Sequence, residues 1–244
     1  MSFSDKRYHR QLIMPEIGEL GQRRLEESNV FVVGAGGLGS PLLMYLAAAG
    51  VGHITIADFD VVEESNLNRQ ILHRTASVGL PKVASAVQTL EEMNPCVRVT
   101  AHQLMVTEDN ASELFAGHDL VLDAVDSFGA KFVINDACVT EGLPFIHAGV
   151  SGLKGQLFLY QPGSACLRCI FPDVPNELKK SLNGGILGAM AGCIGAQQAL
   201  LAIQFLLGIT KEAGRLFALD GHDLRQSSIE VPQNAACPAC GSRM

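Results

Sequence analysis

The chain has 244 residues, 48% of them hydrophobic and 18% charged, with 18 Lys+Arg against 25 Asp+Glu for a formal charge of −7. It is too apolar and too weakly charged for a disordered chain, and long enough to bury one large core or two small ones. An acidic chain without a basic run is a poor match for nucleic acid, which is gripped through its phosphates.

Met1 to Arg10 is polar and charged, so no secretory signal is expected there. Asn29 to Val33 reads as a β-branched strand that breaks into Gly34-Ala35-Gly36-Gly37-Leu38-Gly39. A helix over Pro41 to Ala49 and a strand over His53 to Ala57 complete a βαβ unit ending at Asp58. Pro81 to Met93 reads as helix, with Pro81 suited to the first helical position and Pro95 beyond its end. The alternation continues with strand over Val97 to Ala101, helix over Glu108 to Phe115, strand over Asp119 to Asp123, helix over Ala130 to Thr140 and strand over Pro144 to His147. This predicts an α/β fold, a Rossmann-like, doubly wound and mostly parallel sheet with helices on both faces.

After Gly149 the rhythm changes. Gly155 to Tyr160, Leu216 to Leu219 and Ser227 to Val231 read as strands without crossover helices, hence as antiparallel additions, and Pro172 to Asn183 reads as a polar loop. Gly185 to Gly208 is long enough to span a bilayer, yet it carries Gln197, Gln198 and Gln204 and has lysines on both flanks. It is read as a helix buried in a core or subunit interface, with no membrane involved. With no repeat and no linker, residues 1–244 are expected to form a single domain, in which 1–150 bind the nucleotide and 151–244 form the second half.

Gly34-x-Gly36-x-x-Gly39, between a strand and a helix, lets backbone approach phosphates where free N–H groups and the helix dipole favour anions. Asp58, nineteen residues past Gly39, is placed to accept from ribose hydroxyls. On these residues the ligand is NAD, FAD or ATP, and glycines for turn packing alone are the plain alternative. The stretch Ser65-Asn66-Leu67-Asn68-Arg69-Gln70 offers hydroxyl, amide and guanidinium donors. Lys82 stands at a helix start, where a cation opposes the dipole. Arg69 and Lys82 together point to a triphosphate, against the alternative of two solvated cations. Asp126, past a strand end at the carboxyl edge of the sheet, suits either the magnesium of a nucleotide or a helix cap. Asp123 reads as structural.

Seven cysteines, four of them in two C-x-x-C pairs, suit a cytoplasmic metal or redox protein better than a disulfide scaffold. Cys166-Leu-Arg-Cys169 and Cys237-Pro-Ala-Cys240 supply the four sulfurs of a closed structural zinc site, with two separate redox pairs as the alternative. The 67 residues between them mean that zinc would clip the C-terminus onto the body. Cys138 and Cys193, in apolar helices, are expected to fill core, Cys96 has no evident His partner, and His147 reads as a satisfied core histidine.

Together these residues resemble the ThiF/MoeB/HesA family, relatives of the ubiquitin-activating enzymes, and most of all its MoeB and ThiF members. The resemblance covers nearly the whole chain. It rests on Arg7-Tyr8-His9-Arg10-Gln11, the glycine motif, Asp58-Phe59-Asp60, Ser65 to Gln70, Pro81-Lys82, Asn94-Pro95, Asp123-Ala124-Val125-Asp126 and the two cysteine pairs. It implies ATP-dependent adenylylation of the C-terminal glycine of a small ubiquitin-like sulfur carrier ending in Gly-Gly (MoaD- or ThiS-like). The products would be an acyl-adenylate and pyrophosphate, in molybdopterin or thiamine biosynthesis. By motif, Gly37 lies at the phosphate turn and Asp58 binds ribose. Ser65, Asn66 and Arg69 line the nucleotide site, Lys82 contacts phosphate and Asp126 positions Mg2+. Arg10 reaches the ATP of the other subunit in a homodimer. Arg10, Arg69, Lys82 and Asp126 are then the catalytic set, neutralising charge as a carboxylate meets a phosphate. No general base is needed, because the carboxylate is already ionised at pH 7.

Two departures from the family pattern stand out. After Asp126 the family commonly has Asn and, a few positions on, Arg; here Ser127 and Lys131 stand there, so magnesium or phosphate contacts are expected to differ in detail. Members that bond covalently to the carrier have a cysteine before the apolar helix, whereas here Lys179-Lys180-Ser181-Leu182-Asn183-Gly184-Gly185 has none. Adenylylation without a covalent enzyme intermediate is therefore expected, with a separate sulfurtransferase, since no rhodanese domain fits before Met244. The other readings are a NAD- or FAD-dependent oxidoreductase on the same glycine turn, a ThiF-like enzyme adenylating a peptide, and a scaffold that has lost turnover.

Overall fold

The computed structural model describes residues 5–172 and 185–241. Two helices, α1 (Asp5–Leu12) and α2 (Gly18–Glu27), precede β1 (Asn29–Val33), α3 (Gly39–Ala49), β2 (His53–Ala57), α4 (Lys82–Met93) and β3 (Arg98–His102). The chain continues through α5 (Ala111–Phe115), β4 (Leu120–Asp123), α6 (Phe128–Glu141), β5 (Phe145–Ser151) and β6 (Lys154–Tyr160). It ends with α7 (Leu167–Ile170), α8 (Gly188–Leu207), β7 (Arg215–Asp220) and β8 (Arg225–Glu230). One eight-stranded sheet runs β3-β2-β1-β4-β5-β6-β7-β8, parallel as far as β5 and antiparallel beyond it, as the sequence predicts.

Strand alternation sorts the core into two layers. Val30 and Val32 face Leu42, Leu43 and Leu46 of α3, Leu90 of α4 and Ile194 of α8. Phe31 and Val33 face Phe115 of α5 and Phe132 of α6 on the other side. Each fully buried side chain of this size contributes about 1.5–3 kcal/mol. After β3 the chain crosses back to lay β4 on the far side of β1. The carboxyl ends of β1 and β4 therefore form the switch point of the sheet, where open α/β sheets bind ligands.

Several boundaries differ from expectation. Pro81 is the residue before α4, not its first, because Val61 bridges to it and fixes it as extended backbone. The helix expected over Glu108 to Phe115 keeps only its last turns, since Asn110 Oδ1 accepts from Thr107 N (2.8 Å) and closes a competing turn. Strand β5 runs on to Ser151 because it pairs with β6 through a two-residue turn at Gly152-Leu153. Helices α1 and α2 were not foreseen. Helix α8 is long and apolar enough to cross a membrane, with a mean hydropathy of 1.5, yet half of that window is buried inside the protein. Its Gln198 is fully buried and donates to Asp123 O and Ile146 O, both at 2.9 Å, tying the helix to the ends of β4 and β5. The polar loop expected over Pro172 to Asn183, and with it the cysteine-free stretch from Lys179 to Gly184, lies outside the described residues apart from Pro172.

Candidate functional site

The glycine turn opens directly from β1. Gly34 has φ +103°, and a Cβ there would stand 2.8 Å from Ala124 O; one on Gly39 would stand 2.1 Å from Gly34 O. These two glycines serve close backbone packing between the turn and β4. Gly36 and Gly37 differ: a Cβ on Gly36 meets nothing nearer than Gln70 Nε2 at 3.7 Å, and one on Gly37 nothing nearer than Ala191 Cβ at 3.4 Å. The turn therefore leaves an open cradle beside those two residues. Helix α3 begins there with Leu38 as its N-cap, without a side-chain cap or an acidic residue in its first turn. Ser40 N donates to Gly36 O (2.9 Å) and Pro41 has no N–H, so the amides left for an anionic ligand are those of the turn from Gly36 to Gly39.

Ala35 is pinned from both sides. Its N–H donates to Asp58 Oδ2 (2.8 Å), and its carbonyl accepts from His73 Nε2 (2.9 Å). His73 Nδ1 then faces the Ser85 hydroxyl at 3.0 Å, and burial holds the ring below its ordinary pKa, so it stays neutral. Sequence reasoning missed His73; no spacing distinguishes it, because its partners lie on the turn and on α4. Asp58 also accepts from Asp60 N (2.9 Å) through Oδ1, which leaves one lone pair on each carboxylate oxygen for a ribose hydroxyl.

Lys82 has a partner that its place in the sequence does not show. A cation at the start of α4 was read as the sign of a phosphate, but its Nζ already lies 2.7 Å from Asp60 Oδ2. The pair is open on one side, with Asp60 half exposed and Lys82 buried. Arg69 lays its Cγ and Cδ against Gly37 and donates from Nη1 to Ser65 O (2.9 Å) and Asn68 Oδ1 (3.1 Å). Ser65 is exposed beside it. Asn66 is buried and staples the turn, its Oδ1 accepting from Glu63 N at 3.2 Å. Gln70 is buried against the cradle, and its Oε1 has no hydrogen-bond partner among the described residues. The Gln70 atom nearest the space a Gly36 Cβ would take is Nε2, at 3.7 Å, so the carboxamide borders the cradle through its donor end.

Asp126 is exposed at the carboxyl edge, just past β4. It is not the helix cap: Ser127 caps α6, its Oγ accepting from Ala130 N at 3.3 Å. Lys131 is engaged within the protein. It is buried, with Nζ 3.1 and 3.2 Å from the Asp123 carboxylate oxygens and 2.7 Å from both Val125 O and Ala148 O. Asp123 also accepts from His147 Nδ1 at 2.7 Å. Burial pushes the Asp123 carboxyl up, but Lys131 and His147 outweigh it and hold the group below the usual carboxylate range. His147 is fully buried and kept neutral, first by burial and then by Lys131, as a satisfied core histidine should be.

The glycine turn, Asp58, Arg69 and Gln70 thus meet at one edge of the sheet, with Lys82 tied to them through Asp60. Arg10 is elsewhere. Tyr8 of the same helix sits on Gly50 at the C-terminal end of α3 and accepts from Asn94 Nδ2 (2.8 Å), which closes α4. Tyr8 is thereby anchored at the end of α3 opposite the turn, about 16 Å along the helix, and Arg10 of the same helix α1 is exposed.

The four cysteine sulfurs of Cys166, Cys169, Cys237 and Cys240 lie within 4.8 Å of one another, with pairs at 3.6 Å (Cys166–Cys237) and 3.4 Å (Cys169–Cys240). Sulfurs 2.3 Å from a tetrahedral zinc stand about 3.8 Å apart, so the cluster fits a metal. The knuckle is clamped to α6: Arg168 bonds the Asp136 carboxylate at 2.7 and 2.6 Å and lies 4.4 Å over the Phe132 ring, while Leu167 N donates to Asn135 Oδ1 (2.8 Å). Burial, then the neighbouring sulfurs, pushes the Cys166 thiol up. A bound cation is what makes four thiolates at this spacing stable. Of the remaining cysteines, Cys138 is buried as expected, but Cys193 is exposed, because α8 is apolar all round and its outer face carries Cys193 as well as Leu200.

The ThiF family model matches residues 8–239. The chain is 44% identical over 239 residues to the adenylyltransferase and sulfurtransferase MOCS3 of Aedes aegypti, covering 96% of this chain and 55% of that protein. It is 40% identical over 244 residues to the sulfur carrier protein adenylyltransferase of Thermus thermophilus, covering 96% and 90%. The chain therefore spans about half the length of the MOCS3 proteins it matches and most of the bacterial one. Among solved structures, Escherichia coli MccB with ATP superposes with a TM-score of 0.81 at 22% identity, over 91% of this chain and 69% of that one, a likeness of fold.

Proposed function

The chain belongs to the ThiF family, and from that premise we propose that it is an ATP-dependent adenylyltransferase for a small ubiquitin-like sulfur carrier ending in Gly-Gly. The observation that carries the reading is the open cradle at Gly36 and Gly37, bordered by Arg69 and the Gln70 carboxamide nitrogen, at the uncapped start of α3. The names of the bacterial and insect relatives supply the reaction class and the carrier. They leave a nicotinamide- or flavin-dependent reading of the same turn without support.

In this account the cradle amides hold the phosphates of ATP and Asp58 accepts from the ribose. The carrier's terminal carboxylate attacks the α-phosphorus, the bond to the bridging oxygen breaks, and pyrophosphate leaves with that electron pair. Two anions meet in this step, so Arg69 and Lys82 supply the positive charge that lowers the barrier, with Lys82 turning from Asp60 towards phosphate. Magnesium held by Asp126 would add to that neutralisation. Arg10, exposed on the helix that Tyr8 anchors at the far end of α3, serves the cradle of a second copy in a homodimer. Zinc in the four-cysteine cluster is structural, since four sulfurs leave no open position. The product is an acyl-adenylate, passed without a covalent enzyme intermediate to a separate sulfurtransferase in the cytoplasm, in molybdopterin or thiamine synthesis. Mass spectrometry of a Gly-Gly carrier incubated with the protein and ATP tests the reading. A mass gain of one adenylyl group supports it, and a set of small Gly-Gly carriers that all stay unmodified refutes it.

A further inference from the structure

We propose that Lys131 is a positioning residue for Asp126, acting through the peptide unit that joins Val125 to it; the inference rests on the adenylylation reading for its activity assay alone. Four residues, 124–127, connect β4 to α6. Their first amide is anchored by Ala124 N donating to Val33 O (2.9 Å), and Val125 N donates to Asp123 Oδ1 (3.2 Å). Their far end is fixed by Ser127, whose carbonyl accepts from Lys131 N (3.1 Å) and whose hydroxyl caps α6. Between those anchors the Val125–Asp126 peptide plane is held by the 2.7 Å bond from Lys131 Nζ to Val125 O. The same ammonium donates to Ala148 O on β5 (2.7 Å) and pairs with the buried Asp123 carboxylate. A side chain on the first turns of α6 thereby references Asp126 to two strands of the sheet. Being charge-assisted and shielded from water, these bonds are stiffer than exposed ones. Lys131 itself is buried, its ammonium engaged by Asp123, Val125 O and Ala148 O, whereas Asp126 is exposed.

A role limited to neutralising Asp123 makes a different prediction, and the pair of substitutions D123N and K131M separates the two. K131M alone leaves a buried carboxylate short of its cation and should lower Tm and slow the reaction together. In D123N/K131M no charge is left unpaired, so Tm should recover most of its loss, yet Val125 O still lacks its ammonium. We expect kcat for carrier-dependent ATP–pyrophosphate exchange to stay about tenfold or more below the unsubstituted protein, with the carrier KM unchanged, and K131R to restore at least part of it. The 15N order parameter of the Asp126 amide reads the same thing without activity. It should be near the rigid value of about 0.85 in the unsubstituted protein and fall clearly in the double variant. Wild-type kcat, or an unchanged Asp126 order parameter, in a folded D123N/K131M protein overturns the proposal. If the unsubstituted protein adenylates no carrier, the order parameter still decides the positioning role.

Discussion

The four glycines of the turn separate packing from binding, and alanine at two of them tests that division. At Gly39 a methyl would stand 2.1 Å from Gly34 O, more than an ångström inside ordinary contact, against backbone that cannot swing away. Overpacking of that kind costs about 1–3 kcal/mol. At about 2–4 °C per kcal/mol for a chain of this size, Gly39→Ala should lower Tm by about 2–12 °C. At Gly36 the nearest atom is the Gln70 amide nitrogen at 3.7 Å and φ is not in the left-handed region, so the fold accepts a methyl. Restricting the unfolded chain then stabilises by about 0.4–1 kcal/mol, raising Tm by about 1–4 °C. The same methyl occupies the cradle, and ATP should bind at least about tenfold more weakly, a loss of about 1.4 kcal/mol. Thermal denaturation with and without saturating Mg·ATP reads both effects. The unsubstituted protein, at about 100 times Kd, gains about 2.7 kcal/mol, and Gly36→Ala should lose about half of that gain. An ATP-induced shift in Gly36→Ala equal to that of the unsubstituted protein would show that phosphate does not sit in this cradle. A Gly39→Ala protein as stable as its parent would refute the packing argument.

Lys82→Ala and Arg69→Ala should each slow adenylate formation at least about tenfold, and parental rates in both would remove their proposed roles. Arg10→Ala should be slow too; on mixing with Lys82→Ala, subunit exchange should return activity if Arg10 serves the other copy, and none should return if it does not. Cys169→Ser should release zinc and lower Tm, checked by metal analysis of protein purified without chelator; absence of zinc from the unsubstituted protein would contradict the tetrad. Stability should fall as pH drops below about 6.5. His53, His73, His118 and His147 are held below their ordinary values, chiefly by burial, so the unfolded chain takes up protons that the folded one refuses. Asp123, held low, adds a further loss only below about pH 4, as protons reach its folded-state value. A Tm unchanged between pH 7 and 5 would contradict this.

What could be read from the sequence was what local pattern encodes. The β-branched runs, the glycine turn and the C-x-x-C spacing each carry their signal within a few residues, so the strands, their mostly parallel arrangement and the tetrad could be inferred from them. The residues that escaped are those whose meaning is supplied by distant partners. Helix α1 has little apolar periodicity of its own and is held through Tyr8 to Asn94, 86 positions away. His73 looks like any lone histidine until the turn carbonyl and Ser85 close on it. Lys131 stands out in the sequence only as a departure from the family's Arg, because nothing local shows that Asp123, Val125 and Ala148 enclose it. Cys193 was assigned to the core because a helix apolar on every side does not reveal its outer face.

ATP–pyrophosphate exchange, with purified protein, magnesium and a panel of small carriers ending in Gly-Gly, tests the central claim most directly. The account predicts exchange that depends on one carrier and disappears when its terminal glycine is removed. Measurable ATP binding with no exchange for any carrier in the panel would contradict it.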